Sequence, residues 1–162
     1  MPTPAPIAPL YTPDQRRRRD ATPWTLVQGL LAPLQFAVFL ASLALVLRFL
    51  LTGAGETAAD LSVLAKTGTL YAIMVTGCLW EKAVFGQWLF APAFFWEDVV
   101  SLGVMALHTA CVLAWWTGAL GPQARMGLAL AAYAAYVVNA LQFLVKLRAA
   151  RRDPLLRTAE AG

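Results

Sequence analysis

The sequence predicts an all-α integral membrane protein: a four-helix bundle with short cytoplasmic tails. Three observations predict it. Apolar residues make up 59% of the 162 residues and charged residues only 14%, against about 45–50% and about 25% in an ordinary soluble domain. Mean hydropathy is +0.60. The apolar residues gather into four stretches, and the basic residues gather at the two ends of the chain. This pattern excludes a disordered chain, a nucleic-acid-binding module of the usual kind and most soluble enzymes.

The stretches run from about Trp24 to Leu51, Leu61 to Phe85, Phe94 to Trp116 and Gln123 to Leu147. At 1.5 Å per residue each crosses a hydrocarbon core of about 30 Å with some tilt. Leu, Ala and Phe dominate without period-2 alternation, so helices are favoured over barrel strands. The boundaries carry their own signals. Thr22 is a cap residue ahead of Pro23 at the first helical position. Gly53 and Gly55 can end the first helix, and Asp60 can cap the second. Pro92 and Pro122 can open the third and fourth, and Asp153-Pro154 stops whatever continues beyond. Upstream, Thr12-Pro13-Asp14-Gln15 has capping-box spacing and predicts a short Arg-rich helix through Arg19 on the membrane surface. The organisation expected is a tail over 1–21, a four-span domain over 22–152 and a second tail over 153–162.

Orientation follows from the Lys/Arg bias. Arg16–Arg19 lie before the first span, and Lys146, Arg148, Arg151, Arg152 and Arg157 lie at the end of the last. The loop after the first span has Glu56 and Asp60, and the loop after the third has only Arg125 nearby. Both termini are therefore expected in the cytoplasm, as an even number of spans requires. Residues 1–23 have no apolar core segment or small-residue cleavage site, so a removable signal peptide is not expected. Arg48 and Lys66 read as snorkelling residues near the opposite interface.

Cys78 and Cys111 sit in apolar stretches without a CxxC or a Cys/His cluster and read as packed thiols. Other polar groups inside spans are costly and are site candidates for that reason. Segment 80–98 holds Trp80, Trp88 and Trp96, Phe85, Phe90, Phe94 and Phe95, the carboxylates Glu81, Glu97 and Asp98, and Lys82. It is either an interfacial aromatic belt or the mouth of a pocket for a flat apolar substrate. Glu97 and His108 are eleven residues apart, about three helical turns, so they share a face with Ser101 but stand about 16 Å apart. His108 reads as a buried neutral imidazole, a general base or an axial ligand to a pigment metal. A bis-histidine haem site on one chain is excluded, because there is no second histidine. Gln28, Gln35 and Ser42, spaced by seven, form a polar stripe suited to interhelical hydrogen bonds. Tyr136, Asn139, Gln142 and Lys146 share a face of the last span, with Lys146 near the cytoplasmic interface. No Gly-rich phosphate loop is present.

Four blocks carry a resemblance to a known family: TPWTLVQGLLAPLQF (22–36), YAIMVTGCLWEKAVFGQWLFAPAFFWED (71–98), ALHTA (106–110) and YVVNALQFLVKLRAAR (136–151). Over about residues 10–152 the chain resembles the 3-vinyl bacteriochlorophyllide hydratase family, and the WEKAVFG…LFAPAFFWED run is the distinctive part. The resemblance implies a hydro-lyase of bacteriochlorophyll synthesis in photosynthetic bacteria. It would add water to the C3 vinyl group of chlorophyllide a or 3-vinyl bacteriochlorophyllide, giving the 3-(1-hydroxyethyl) compound without a cofactor of its own. It also implies a multi-pass protein of the bacterial inner (intracytoplasmic) membrane, whose partners are the Mg-tetrapyrrole and the lipid bilayer, with no nucleic acid.

The residues fit that chemistry. The flat ring suits the aromatic set Trp80, Phe85, Trp88, Phe94, Phe95 and Trp96. Gln35, Asn139 and Gln142 supply polar contacts. The ring's propionate could pair with Lys82, Lys146 or Arg148. No resident metal site is expected, although His108 could contact the substrate's magnesium. Hydration needs an acid to protonate the terminal CH₂ and a base to activate water. Glu97 or Asp98 is the expected acid, with Glu81 next, and His108 or the remaining carboxylate the base. The alternative is a non-catalytic tetrapyrrole-binding or assembly protein using the same pocket and His108 as pigment ligand. A small transporter fits less well, because the polar residues thin out toward Glu56 and Arg125. Small residues on the last span (Gly127, Ala131, Ala134 and Ala135) permit close contacts, including those of a homo-oligomer or with neighbouring pathway enzymes.

Overall fold

In the computed structural model, residues 9–151 are described. The Asp153-Pro154 stop and the C-terminal tail lie outside the described residues. Five helices follow in order: α1 (Pro13–Ala21), α2 (Pro23–Thr52), α3 (Glu56–Phe85), α4 (Phe95–Thr117) and α5 (Pro122–Arg151). The described residues contain no strand, and α2–α5 are each long and apolar enough to cross a membrane. At 30 residues, α2, α3 and α5 reach about 45 Å, longer than the hydrocarbon core, so their ends extend into the interfaces.

The helix boundaries follow local chemistry. Thr12 caps α1 in a full capping box: the Gln15 N–H donates to its hydroxyl at 3.2 Å, and its own N–H donates to Gln15 Oε1 at 2.9 Å. Thr22 caps α2 ahead of Pro23. Gly53 ends α2 at φ 71°, a left-handed conformation that glycine adopts without steric penalty. Two expected boundaries are corrected. α3 begins at Glu56, with Gly55 as its cap, so Asp60 lies inside the helix. Asp60 is occupied instead by Arg125, whose Nη2 donates to it at 2.7 Å and to Glu56 at 2.9 Å. α4 begins at Phe95 rather than at Pro92. The backbone N–H groups just before Pro92 are taken by carboxylates, which holds residues 86–94 as a tight non-helical connection.

The four long helices close a ring in which α2 packs on α3, α3 on α4, α4 on α5 and α5 back on α2; α1 packs on α3. Side-chain hydrogen bonds tie the seams. Gln28 of α2 donates to Thr76 of α3 at 2.7 Å. The Ser42 hydroxyl meets Ser62 at 2.7 Å and Tyr133 at 2.5 Å, joining α2, α3 and α5. Tyr71 bonds Thr109 between α3 and α4. The core runs through Phe39, Val46, Val63, Leu70, Val104, Met126 and Tyr133. Leu26, Leu51 and Val145 are among many large apolar residues on the outside, a surface suited to lipid rather than water. A second cluster of Tyr11, Val84 and Phe94 brings the start of the chain, the α3–α4 connection and the last part of α5 to one end of the bundle. The Arg125 ion pairs close the other end.

Candidate active site

Candidate functional groups collect where the α3–α4 connection meets α5. Gly86 ends α3 at φ 83°, and the chain doubles back through Phe90, held at φ 60°. For a non-glycine residue this left-handed conformation costs roughly 1–2 kcal/mol, and two carboxylates hold it in place. Phe90 N–H donates to Asp98 Oδ2 at 2.8 Å, and Ala91 N–H donates to Glu81 Oε2 at 3.1 Å. Asp98 and Glu81 are both buried.

Glu97, next in the chain to Asp98, points toward α5. Lys146 Nζ donates to its Oε2 at 2.6 Å and to the Ala93 carbonyl at 2.5 Å. The Glu97 carbonyl accepts from Asn139 Nδ2 at 3.0 Å and from the Ser101 hydroxyl at 2.7 Å, and Ser101 also donates to Asn139 Oδ1 at 3.0 Å. α4 and α5 are thus pinned together at the point where the charged pair sits. The Glu97 side chain is 8% exposed and that of Lys146 28%.

Along this seam runs an open groove of about 640 Å³, lined by Glu97, Val138, Leu141, Gln142, Val145, Lys146 and Ala149. Its walls are apolar and face outward, and its polar groups are the Glu97–Lys146 pair and the Gln142 amide. That is the usual make-up of a site for a large apolar ligand, with few polar groups fixing its orientation.

Of the residues expected to form the site, Glu97, Gln142 and Lys146 line this groove, and Asn139 supports it from behind. Trp80, Phe85 and Phe94 instead pack on one another, and Phe94 stacks on Phe143. The Trp80 indole N–H donates to Thr25 at 3.0 Å. Trp88, Phe95 and Trp96 are exposed on the outside of the same end. Lys82 Nζ donates to the Gly86 carbonyl at 2.8 Å and caps α3. Gln35 and His108 lie in the bundle interior, away from the groove. Lys66 requires a correction: it does not snorkel but is fully buried, with its ammonium 3.4 Å from the Tyr136 ring centroid. It sits on the face of α3 that meets α2 and α5, pointing inward, so its stem cannot reach an interface. Arg48 is exposed. The groove walls Val138, Leu141, Val145 and Ala149 carried no signal in the sequence, because apolar residues on a membrane helix look alike whether they face lipid or a ligand. Both cysteines are free thiols, Cys111 buried.

Comparison with known proteins places the chain. The family model described as 2-vinyl bacteriochlorophyllide hydratase matches residues 11–149. A 2-vinyl bacteriochlorophyllide hydratase of Cereibacter sphaeroides is 66% identical over 150 residues, covering 92% of each chain. One of Rhodobacter capsulatus is 66% identical over 142 residues, covering 88% of this chain and 82% of the relative. No solved structure matches. Matched along nearly its whole described length, the chain belongs to the 2-vinyl bacteriochlorophyllide hydratase family.

Proposed function

We propose that this chain is a hydro-lyase that adds water to the vinyl group of a chlorophyllide-type macrocycle seated in the α4–α5 groove. The relatives' name writes the vinyl position as 2, which is position 3 in systematic ring numbering. The observation that carries the reading is the Glu97–Lys146 pair, set at 2.6 Å in an otherwise apolar groove that opens toward lipid. A flat apolar ring can slide in from the bilayer, cover the groove and exclude water from everything but the reacting edge.

The chemistry balances within this pair. Lys146 passes a proton to the Glu97 carboxylate over their hydrogen bond, Glu97 delivers it to the terminal CH₂, and the conjugated ring spreads the positive charge left on the inner carbon. A water attacks that carbon and returns its proton to Glu97, regenerating the acid. Lys146 exchanges a proton with Glu97 over their hydrogen bond and holds the carboxyl toward the groove. Hydration brings no net oxidation or reduction, so the reaction needs no redox cofactor. Asp98 and Glu81 fix the connection that positions Glu97, and Asp98 is the second choice for the acid. Arg148, exposed at the same end of α5, is the cation we assign to the ring's propionate. The substrate's magnesium takes an oxygen ligand, since His108 lies outside the groove. The termini and this end of the bundle face the cytoplasm of a photosynthetic bacterium, in its inner membrane.

The test is direct. Detergent-purified protein is incubated with chlorophyllide a and no added cofactor, and product mass is followed. A gain of one water is expected. Glu97→Gln should lower turnover by about 10²–10⁴-fold, the usual worth of a positioned acid, while pigment binding persists. Pigment that binds but never gains water, across vinyl substrates, would make the protein a carrier. Full turnover in Glu97→Gln would move the acid to Asp98.

A further inference from the structure

The groove leaves one buried polar group of side chains unused. Lys66 and His108 are completely buried and Gln35 is 5% exposed. Lys66 Nζ, His108 Nε2 and Gln35 Nε2 have no hydrogen-bond partner among the described residues. They come from three different helices, and two of them, Lys66 and His108, lie against one aromatic cluster. Lys66 lies over Tyr136, Phe39 packs on both Tyr136 and Tyr133, and His108 lies against Tyr133 at 5.8 Å. Gln35 is one helical turn from Phe39 on the same face of α2.

The donor and acceptor roles are fixed by chemistry. His108 Nδ1 lies 2.9 Å from the Val104 carbonyl. A carbonyl only accepts, so Nδ1 carries the proton, and in the neutral ring Nε2 presents a lone pair to the interior. Lys66 and Gln35 present only N–H donors at their unpartnered atoms. A single ligand that satisfied all three would accept two hydrogen bonds and donate one. Water does this, whereas a halide has nothing to donate to Nε2. Buried unpaired polar groups are costly, and a buried water with three partners is the usual remedy.

One face of α5 leads from this cluster toward the groove. Tyr133, Tyr136, Asn139 and Lys146 succeed one another at helical spacing, bonding or facing Ser42, Lys66, Ser101 and Glu97 in turn. Resting on the hydratase reading, we propose that Gln35, Lys66 and His108 form an interior water site and that it feeds the nucleophile to Glu97 from inside the bundle. The macrocycle would then seal the groove on the lipid side while water arrives from behind. These three are positioning residues; none touches the macrocycle.

His108 is the only histidine, so ¹⁵N-histidine labelling of the full chain in detergent reads the site without assignment. A protonated Nδ1 and a hydrogen-bonded Nε2 in exchange with water are expected, with Nε2 moving to the free lone-pair position in Lys66→Met. A free Nε2 in the wild type would overturn the site. For the role, Lys66→Met and His108→Leu should each lose about 10²-fold in turnover, the scale of a misplaced reactant, with pigment affinity unchanged and partial recovery in His108→Gln. Gln35→Leu serves if either variant does not fold. Methanol in the medium should give no methyl ether with the wild type if the proposed interior site admits water and no larger nucleophile. Methyl ether formation, or full turnover in Lys66→Met, would overturn the role. A wild type that never hydrates would refute the activity instead, and the histidine spectrum would still report on the water site.

Discussion

The acids at the end of the bundle and the polar groups at its centre are held in opposite ways. At the end, each buried acid has a partner: Glu97 has Lys146, Asp98 has the Phe90 N–H and Glu81 has the Ala91 N–H. At the centre, Lys66, His108 and Gln35 each keep an atom with no partner among the described residues. A partnered group is held in one geometry, which suits a residue that must meet a reacting carbon. An unpartnered group has its hydrogen-bonding capacity left for a ligand. On the proposed reading, the difference separates the site of hydration from the site that supplies it.

The two lysines give the sharpest contrast. Lys146→Met leaves the Glu97 carboxylate buried and unpaired, and breaking a buried pair in this way costs about 3–5 kcal/mol. A large fall in Tm is expected, together with loss of turnover. Lys66→Met breaks no pair and fills the same space with an apolar chain, so its Tm should hold or rise. If Lys66→Met were the more damaging to thermal stability, the centre would be a structural element rather than a ligand site.

The next effect lies at the far end of the bundle. Arg125 is 13% exposed in its side chain and donates to both Asp60 and Glu56. Hydrogen bonds to charged groups are worth about 1.5–3 kcal/mol each when removed, and partial exposure puts Arg125→Met at the low end. Tm should fall modestly and turnover at saturating pigment should not change. A changed turnover would mean that the far end is coupled to Glu97.

The sequence makes the fold legible where a single chemical rule decides. Span length, the Thr12 capping box, the Thr22-Pro23 start of α2 and the glycine stop at Gly53 are local, and the structure has each of them. Rules that depend on tertiary partners are less legible. Asp60 has the residue type of a cap but is taken by Arg125 from α5. Lys66 has the composition of a snorkelling lysine, but the rotation of α3 turns it inward onto Tyr136. The segment 80–98 reads as one aromatic patch, yet α3, the connection and α4 divide it. Trp80, Phe85 and Phe94 go to an internal cluster, and Trp88 and Trp96 to the outside. Glu97 and Lys146, separated by 49 residues, become a pair only once α4 and α5 pack.

The smallest expected effect probes whether the end of the bundle depends on α1. Thr12 and Gln15 form the capping box, and the neighbouring Tyr11 ring stacks on Phe85 at 5.9 Å and leans on Phe94 at 6.4 Å. Thr12→Ala removes one cap acceptor, worth about 0.5–2 kcal/mol of helix stability. Because the Tyr11 ring is anchored by packing rather than by the cap, the loss should stay in the first turn of α1. Amide exchange should quicken over residues 13–16, while the Phe94 cluster, Glu97 and turnover stay as they were. Exchange that spread into the 86–94 connection would mean that the first turn of α1 helps to hold Glu97 in place, and the active end would then begin at Thr12.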